Sequence, residues 1–135
     1  MVLGSDLPQG SPFGSKSSCI LVVEDEFLIR CMLSDELREA GYRVIEACDA
    51  TEALLVLNTV RPDLIISDVR MPGPVDGLDL LAQVRETSLT LPVIIISGHL
   101  HPSQAMIEGA TRFFAKPYLL DAVLDAARKA LKKTP

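Results

Sequence analysis

A chain of 135 residues, 48% hydrophobic and 23% charged, has the size and balance of one soluble globular domain with a single buried core. Its net charge of −5 argues against direct nucleic-acid binding, which needs a basic face, and no apolar run approaches the ~18 residues of a membrane span. Cys19, Cys31 and Cys48 form no C-x-x-C pair, so reduced, partly buried thiols are expected, and with no signal-peptide core the expected location is the cytoplasm.

The opening "MVLGSDLPQGSPFGSKSS" is Gly-, Ser- and Pro-rich without a period and reads as a disordered leader, residues 1–18. Residues 19–133 then form the expected domain. "CILVVE" is a first strand, and Ile29, Leu33, Leu37 and Ala40 line one face of a helix that Gly41 closes as its C′ residue. "YRVIEA" is a second strand. Asp49 and Glu52 have capping-box spacing ahead of Ala50, Ala53, Leu54 and Leu57. "DLIIS" is a third strand, followed by a helix marked by Leu78, Leu81 and Val84; "PVIIIS" is the fourth strand. The next helix, "PSQAMIEG", is barely two turns, with Pro102 in its first turn and Gly109 at its end. "RFFAK" is a fifth strand. Leu120, Val123, Leu124, Ala127 and Leu131 mark a last helix, whose Arg128, Lys129, Lys132 and Lys133 complement the dipole at a solvated end.

Strand and helix alternating five times within one domain predict an α/β fold with a parallel sheet covered on both faces, as the unalternating apolar strands also require. Ligands of such sheets sit beyond the strand carboxyl ends, where strand order reverses. Strand one ends in Glu24-Asp25-Glu26, strand three in Asp68, strand four in Ser97-Gly98 and strand five in Lys116-Pro117. Singly, each is ordinary turn, cap or surface chemistry. Together they fall on one edge of one sheet. If strand one lies beside strand three, Glu24, Asp25 and Asp68 crowd together and need a cation. Oxygen ligands and an open site favour Mg²⁺. A carboxylate nucleophile, Mg²⁺, Lys116 and the Ser97 hydroxyl make a minimal set for phosphoryl transfer onto aspartate.

"ILVVEDE", "DLIISDVRMPG", "DGLDLL", "PVIIISG" and "FFAKP" resemble the successive motifs of the response regulator receiver domain of bacterial two-component signalling, over about Cys19 to Lys133. The resemblance implies a (βα)₅ doubly wound, five-stranded parallel sheet of order 2-1-3-4-5. It implies Asp68 as phosphoacceptor, with Asp25, Glu24, Asp68 and the backbone carbonyl of Arg70 as Mg²⁺ ligands. Lys116, in front of a proline often preceded by a cis peptide, would pair with the acyl phosphate. Ser97 would follow the phosphoryl group, and Phe113 is the aromatic switch. The implied donor is a histidine kinase or histidine phosphotransfer protein, and the product is a switched protein-binding surface.

The chain departs from that pattern in places. "MPGPVDG" carries an extra residue, which should alter the start of helix three without touching Asp68. Only eighteen residues, Gly98 to Ala115, separate Ser97 from Lys116, so the fourth helix is expected to be shortened and the usual dimer through it disfavoured, leaving a monomer or weak dimer. Phe113 lacks a hydroxyl to bond at the surface. His99 and His101 read as exposed loop residues, and Cys31 and Cys48 as core thiols. Three other functions compete. A haloacid-dehalogenase-type phosphatase places a second Asp two residues after its nucleophile, where this chain has Arg70. A flavodoxin-like flavin binder would need a phosphate loop where "EDEF" repels phosphate. A pseudo-receiver would bind partners without phosphorylation, yet every acceptor position is filled.

Overall fold

The computed structural model describes residues 17–99 and 102–132. The expected leader lies outside the described residues except for Ser17 and Ser18, and His101 and Lys133 also lie outside them. The chain runs β1 (Cys19–Val23), α1 (Phe27–Glu39), β2 (Arg43–Ala47), α2 (Ala50–Leu57), β3 (Leu64–Asp68), α3 (Gly77–Thr87), β4 (Val93–Ser97), α4 (Pro102–Ile107), β5 (Arg112–Ala115) and α5 (Leu120–Leu131). All strand pairs are parallel, in the order β2-β1-β3-β4-β5. This is the doubly wound order expected from the sequence. Ile20 stands opposite Val44 on one side and Leu64 on the other, and Ile66 opposite Ile94.

Strand alternation divides the core into two layers. Leu21, Val23, Ile65 and Ile95 pack with Ala50 and Ala53 of α2, Leu80, Leu81 and Val84 of α3, and Ala105 of α4. Ile20, Val22, Leu64, Ile66 and Ile94 pack with Leu33 and Leu37 of α1 and with Val123, Ala126 and Ala127 of α5. Truncating a side chain such as Leu37, fully buried, to alanine costs about 2–5 kcal/mol in cores of this kind.

The helix ends follow local chemistry. Gly41 has φ +103°, and the N–H groups of Gly41 and Tyr42 donate to the Arg38 and Leu37 carbonyls, a Schellman closure of α1. Ala40, expected on the apolar face, is instead its exposed C-cap. Asp49 accepts from Glu52 N as expected, but Glu52 reaches back to Cys48 N at 2.7 Å and not to Asp49 N. Cys48 is exposed in this turn and does not belong to the core. Its thiol is pushed up, first by the hydrogen bond to Glu52, then by desolvation and the Glu52 and Asp49 charges. The full reciprocal capping box lies ahead of α3, between Asp76 and Asp79. In the loop before it, Gly73 has φ +102°.

The fourth helix is short, as expected. It has six residues and ends at Gly109, φ +106°, where Gly109 N donates to Met106 O and Ala110 N to Ala105 O. Its Ala105 is buried against the sheet, and Met106 is about half exposed.

Candidate functional site at the carboxyl edge of the sheet

With β1 between β2 and β3, strand order reverses between β1 and β3, which opens a crevice at their carboxyl ends. Glu24 follows β1 directly, with its N–H on the Ala47 carbonyl of β2 at 3.1 Å. Asp68 is the last residue of β3. Each of Glu24, Asp25 and Asp68 offers a carboxylate oxygen, and the three oxygens lie within 4.8 Å of one another. Lys116, just past β5, reaches across: its Nζ is 2.6 Å from Asp68 Oδ2 and 3.7 Å from Glu24 Oε1. The Lys116–Pro117 peptide is cis.

Each acid is held differently. Asp68 is 6% exposed and Glu24 5%, while Asp25 is open to solvent. Asp68 Oδ1 accepts from Val69 N at 2.7 Å, so both of its oxygens have a donor. Glu24 Oε2 accepts from Glu26 N at 2.9 Å. Burial raises Glu24 to about 7 and the Asp68 and Asp25 charges add to the rise, against the Glu26 N–H and the Lys116 charge, which lower it. Burial pulls the Lys116 ammonium down, but its hydrogen bond to Asp68 and the charges of Asp68, Glu24 and Glu26 outweigh that and raise it. Two buried carboxylates and an exposed one, facing one ammonium, leave uncompensated negative charge. A hard divalent cation with open water positions fits that donor set.

The remaining expected residues surround this cluster. Ser97 ends β4, buried, its Oγ accepting from His99 N at 3.1 Å; the His99 side chain is exposed. Phe113 stands opposite Ile95 and packs, half-buried, against the α2/α3/α4 layer. Arg70 is exposed and lines an open depression of about 470 Å³ together with Asp25, Met71 and Asp76.

Two contributors were not anticipated. Gly77 opens α3, and a Cβ there would sit 2.0 Å from the Asp68 carbonyl oxygen and 2.8 Å from Val69 Cα. Its N–H donates to Val69 O at 2.9 Å, so the helix start is seated directly on the backbone bearing Asp68. Tyr118 is half-buried two residues after Lys116; burial raises its phenol and the Glu24 charge adds to this. In the sequence Gly77 stood only as part of the "DGLDLL" motif, with no role of its own, and an Asp-Gly pair also reads as turn chemistry.

Comparison with known proteins gives the family and the fold. The profile of the response regulator receiver domain matches residues 20–128. Sporulation initiation phosphotransferase F of Bacillus subtilis is 35% identical over 115 residues, covering 83% of this chain and 92% of that protein. The C4-dicarboxylate transport transcriptional regulatory protein DctD of Pseudomonas aeruginosa is 38% identical over 125 residues, 90% of this chain but only 27% of that protein. Among solved structures, the receiver domain of the Francisella response regulator 1452 superposes with TM-score 0.83 at 28% identity, covering 88% of this chain and all of that one. TrrA of Thermotoga maritima, in complex with Mg²⁺ and BeF, gives 0.77 at 31% identity, covering 84% and 99%. The chain belongs to the response regulator receiver domain family.

Proposed function

We propose that Asp68 accepts a phosphoryl group from the phosphohistidine of a histidine kinase or phosphotransfer protein, with Mg²⁺ bound, and that the acyl phosphate switches a protein-binding surface on the β4–α4 and β5 units. One observation carries the reading: Glu24, Asp25, Asp68 and Lys116 meet at the strand-order reversal, with oxygens within 4.8 Å and the ammonium 2.6 Å from Asp68. A carboxylate oxygen of Asp68 bonds to phosphorus as the donor P–N bond breaks, and the bonding pair stays on the imidazole nitrogen. Glu24, Asp25, Asp68 and the Arg70 carbonyl would hold Mg²⁺, which offsets charge on the phosphoryl oxygens when bound. Lys116 follows the new charge. The Ser97 hydroxyl turns to the phosphoryl oxygens, and Phe113 fills the space behind it. Turnover is confined to the protein's own acyl phosphate.

Exposed Phe27, Leu28 and Leu119 sit close in sequence to Glu26 and Lys116, an apolar margin suited to a protein donor. A phosphatase of the haloacid dehalogenase type is disfavoured by Arg70, which stands where its acid/base Asp would be. Incubation with acetyl phosphate and MgCl₂, followed by intact-mass measurement, tests the proposal. One added phosphoryl group is expected, lost in Asp68→Asn and on chelation of metal. An unchanged mass at saturating donor would make the domain a phosphorylation-independent adaptor, and steady turnover of a small phosphate ester would make it a phosphatase.

A further inference from the structure

Arg30, on the first turn of α1, is aimed back at the acid loop. Its Nη1 donates to the Glu24 carbonyl at 2.9 Å, and its Nε to Glu46 Oε1 of β2 at 3.1 Å. The guanidinium lies 5.5 Å from the centroid of the Phe27 ring, and its side chain is only 15% exposed. Glu46 is fixed in turn by Arg38, Nη1 to Oε2 at 3.1 Å. The Glu24 N–H is already taken by Ala47 O. Both polar groups of the Glu24 main chain are therefore held, one by β2 and one by Arg30.

We propose that Arg30 is a positioning residue for the cation pocket: by clamping the Glu24 carbonyl to the Glu46 carboxylate it fixes the peptide between Glu24 and Asp25, so that both side chains converge on Asp68. This rests on reading the acid cluster as the cation site. The Glu24–Asp25 peptide carries two of the three carboxylates, so a small rotation about it would move both. Three acids at this separation repel, and their own charges would drive that rotation when no cation is bound. A forked guanidinium can bridge carbonyl and carboxylate at once. An ammonium is a point charge and does so poorly.

Amide NMR titration with MgCl₂ tests this on wild type, Asp25→Asn, Arg30→Met, Arg30→Lys, Glu46→Gln and the core control Leu37→Ala, each far below its unfolding temperature. Wild type should bind and Asp25→Asn should not, which secures the site itself. Arg30→Met should bind Mg²⁺ at least about ten-fold more weakly, in the range found for outer-shell partners of metal ligands. Arg30→Lys and Glu46→Gln should fall between it and wild type. Leu37→Ala should lose thermal stability and keep wild-type affinity. Equal affinity in wild type, Arg30→Met and Glu46→Gln would leave Arg30 a purely structural anchor of α1. Loss of affinity in Leu37→Ala as large as in Arg30→Met would say the same. Failure of wild type to bind would remove the cation site and the clamp together.

Discussion

The two α/β units that follow β3 and β4 carry opposite constructions on the same sheet. After β3, the chain enters a helix closed by a full capping box and seated through Gly77 on the Asp68 carbonyl. After β4, it enters a six-residue helix in which Ala105 is the buried residue among the described side chains. The first unit cannot shift without moving Asp68. Among the described side chains of α4, Ala105 alone is buried, and an element with little buried contact is the kind that opens locally at low cost. A switch needs both: a nucleophile held to fractions of an ångström, and a neighbouring element with two arrangements close in free energy. The difference between α3 and α4 is consistent with that division of labour.

The sharpest way to break the contrast is Gly77→Ala. A methyl group 2.0 Å from a backbone oxygen must push the start of α3 off β3. Urea unfolding should show a loss of about 3 kcal/mol, the upper part of the usual range for overpacking. Displacement of Asp68 on the ~1 Å scale should slow acetyl phosphate labelling by about a hundred-fold. Wild-type stability and labelling in this variant would mean that the α3 seat is soft, and the contrast with α4 would go.

The next effect is one of pH. Glu24 is raised in the fold from 4.5 to about 7, chiefly by burial. Below pH 4.5 folded and unfolded chains both hold that proton, so the group contributes nothing. Between 4.5 and 7 the unfolded chain releases it while the fold keeps it, so stability falls as pH rises, and above 7 the deficit is constant. The Lys116 shift is upward from 10.5 and acts only in alkaline solution, outside this window. Chemical denaturation without metal should thus give lower stability at pH 8 than at pH 5. Glu24→Gln should flatten the difference, and Mg²⁺ should recover stability at pH 8. A metal-free domain as stable at pH 8 as at pH 5 would show that its rigid half carries no electrostatic strain.

What could be read in the sequence, and what could not, divides by range. Asp25, Asp68 and Lys116 were legible because each stands at the end of an apolar strand, and a parallel sheet puts such ends on one edge. The short α4 was legible from chain length between Ser97 and Lys116. Gly77 was not, because its necessity comes from the backbone of another segment passing within van der Waals range, which no local pattern encodes. Arg30 looked like any polar residue on a helix face, since its partners Glu24, just past β1, and Glu46, within β2, come from two separate segments. Cys48 was misplaced for the converse reason: hydropathy suggests burial, but its thiol sits in the exposed turn where Glu52 caps α2.

The smallest expected effect concerns a tie between α3 and the end of α4. Arg85, on the last turns of α3, donates through Nε to Gly109 O at 2.9 Å and through Nη1 to Ser88 O at 3.1 Å and Leu91 O at 2.8 Å. One guanidinium thus ties the end of α4 and the approach to β4 back to the rigid half. Gly109 permits this closeness, since a Cβ there would lie 3.1 Å from Arg85 Nε on a backbone already at positive φ. Arg85→Met keeps the aliphatic stem and leaves three part-buried carbonyls without that donor, a loss of about 1–3 kcal/mol. The loss should be local. Hydrogen exchange should accelerate at Ala105, Gly109, Ala110 and Thr111, while the amides of Leu64 to Asp68 and the affinity for Mg²⁺ stay as in wild type. If β3 loses protection to the same extent as α4, the two units unfold together, and α4 would then have no independent freedom for the proposed acyl phosphate to bias.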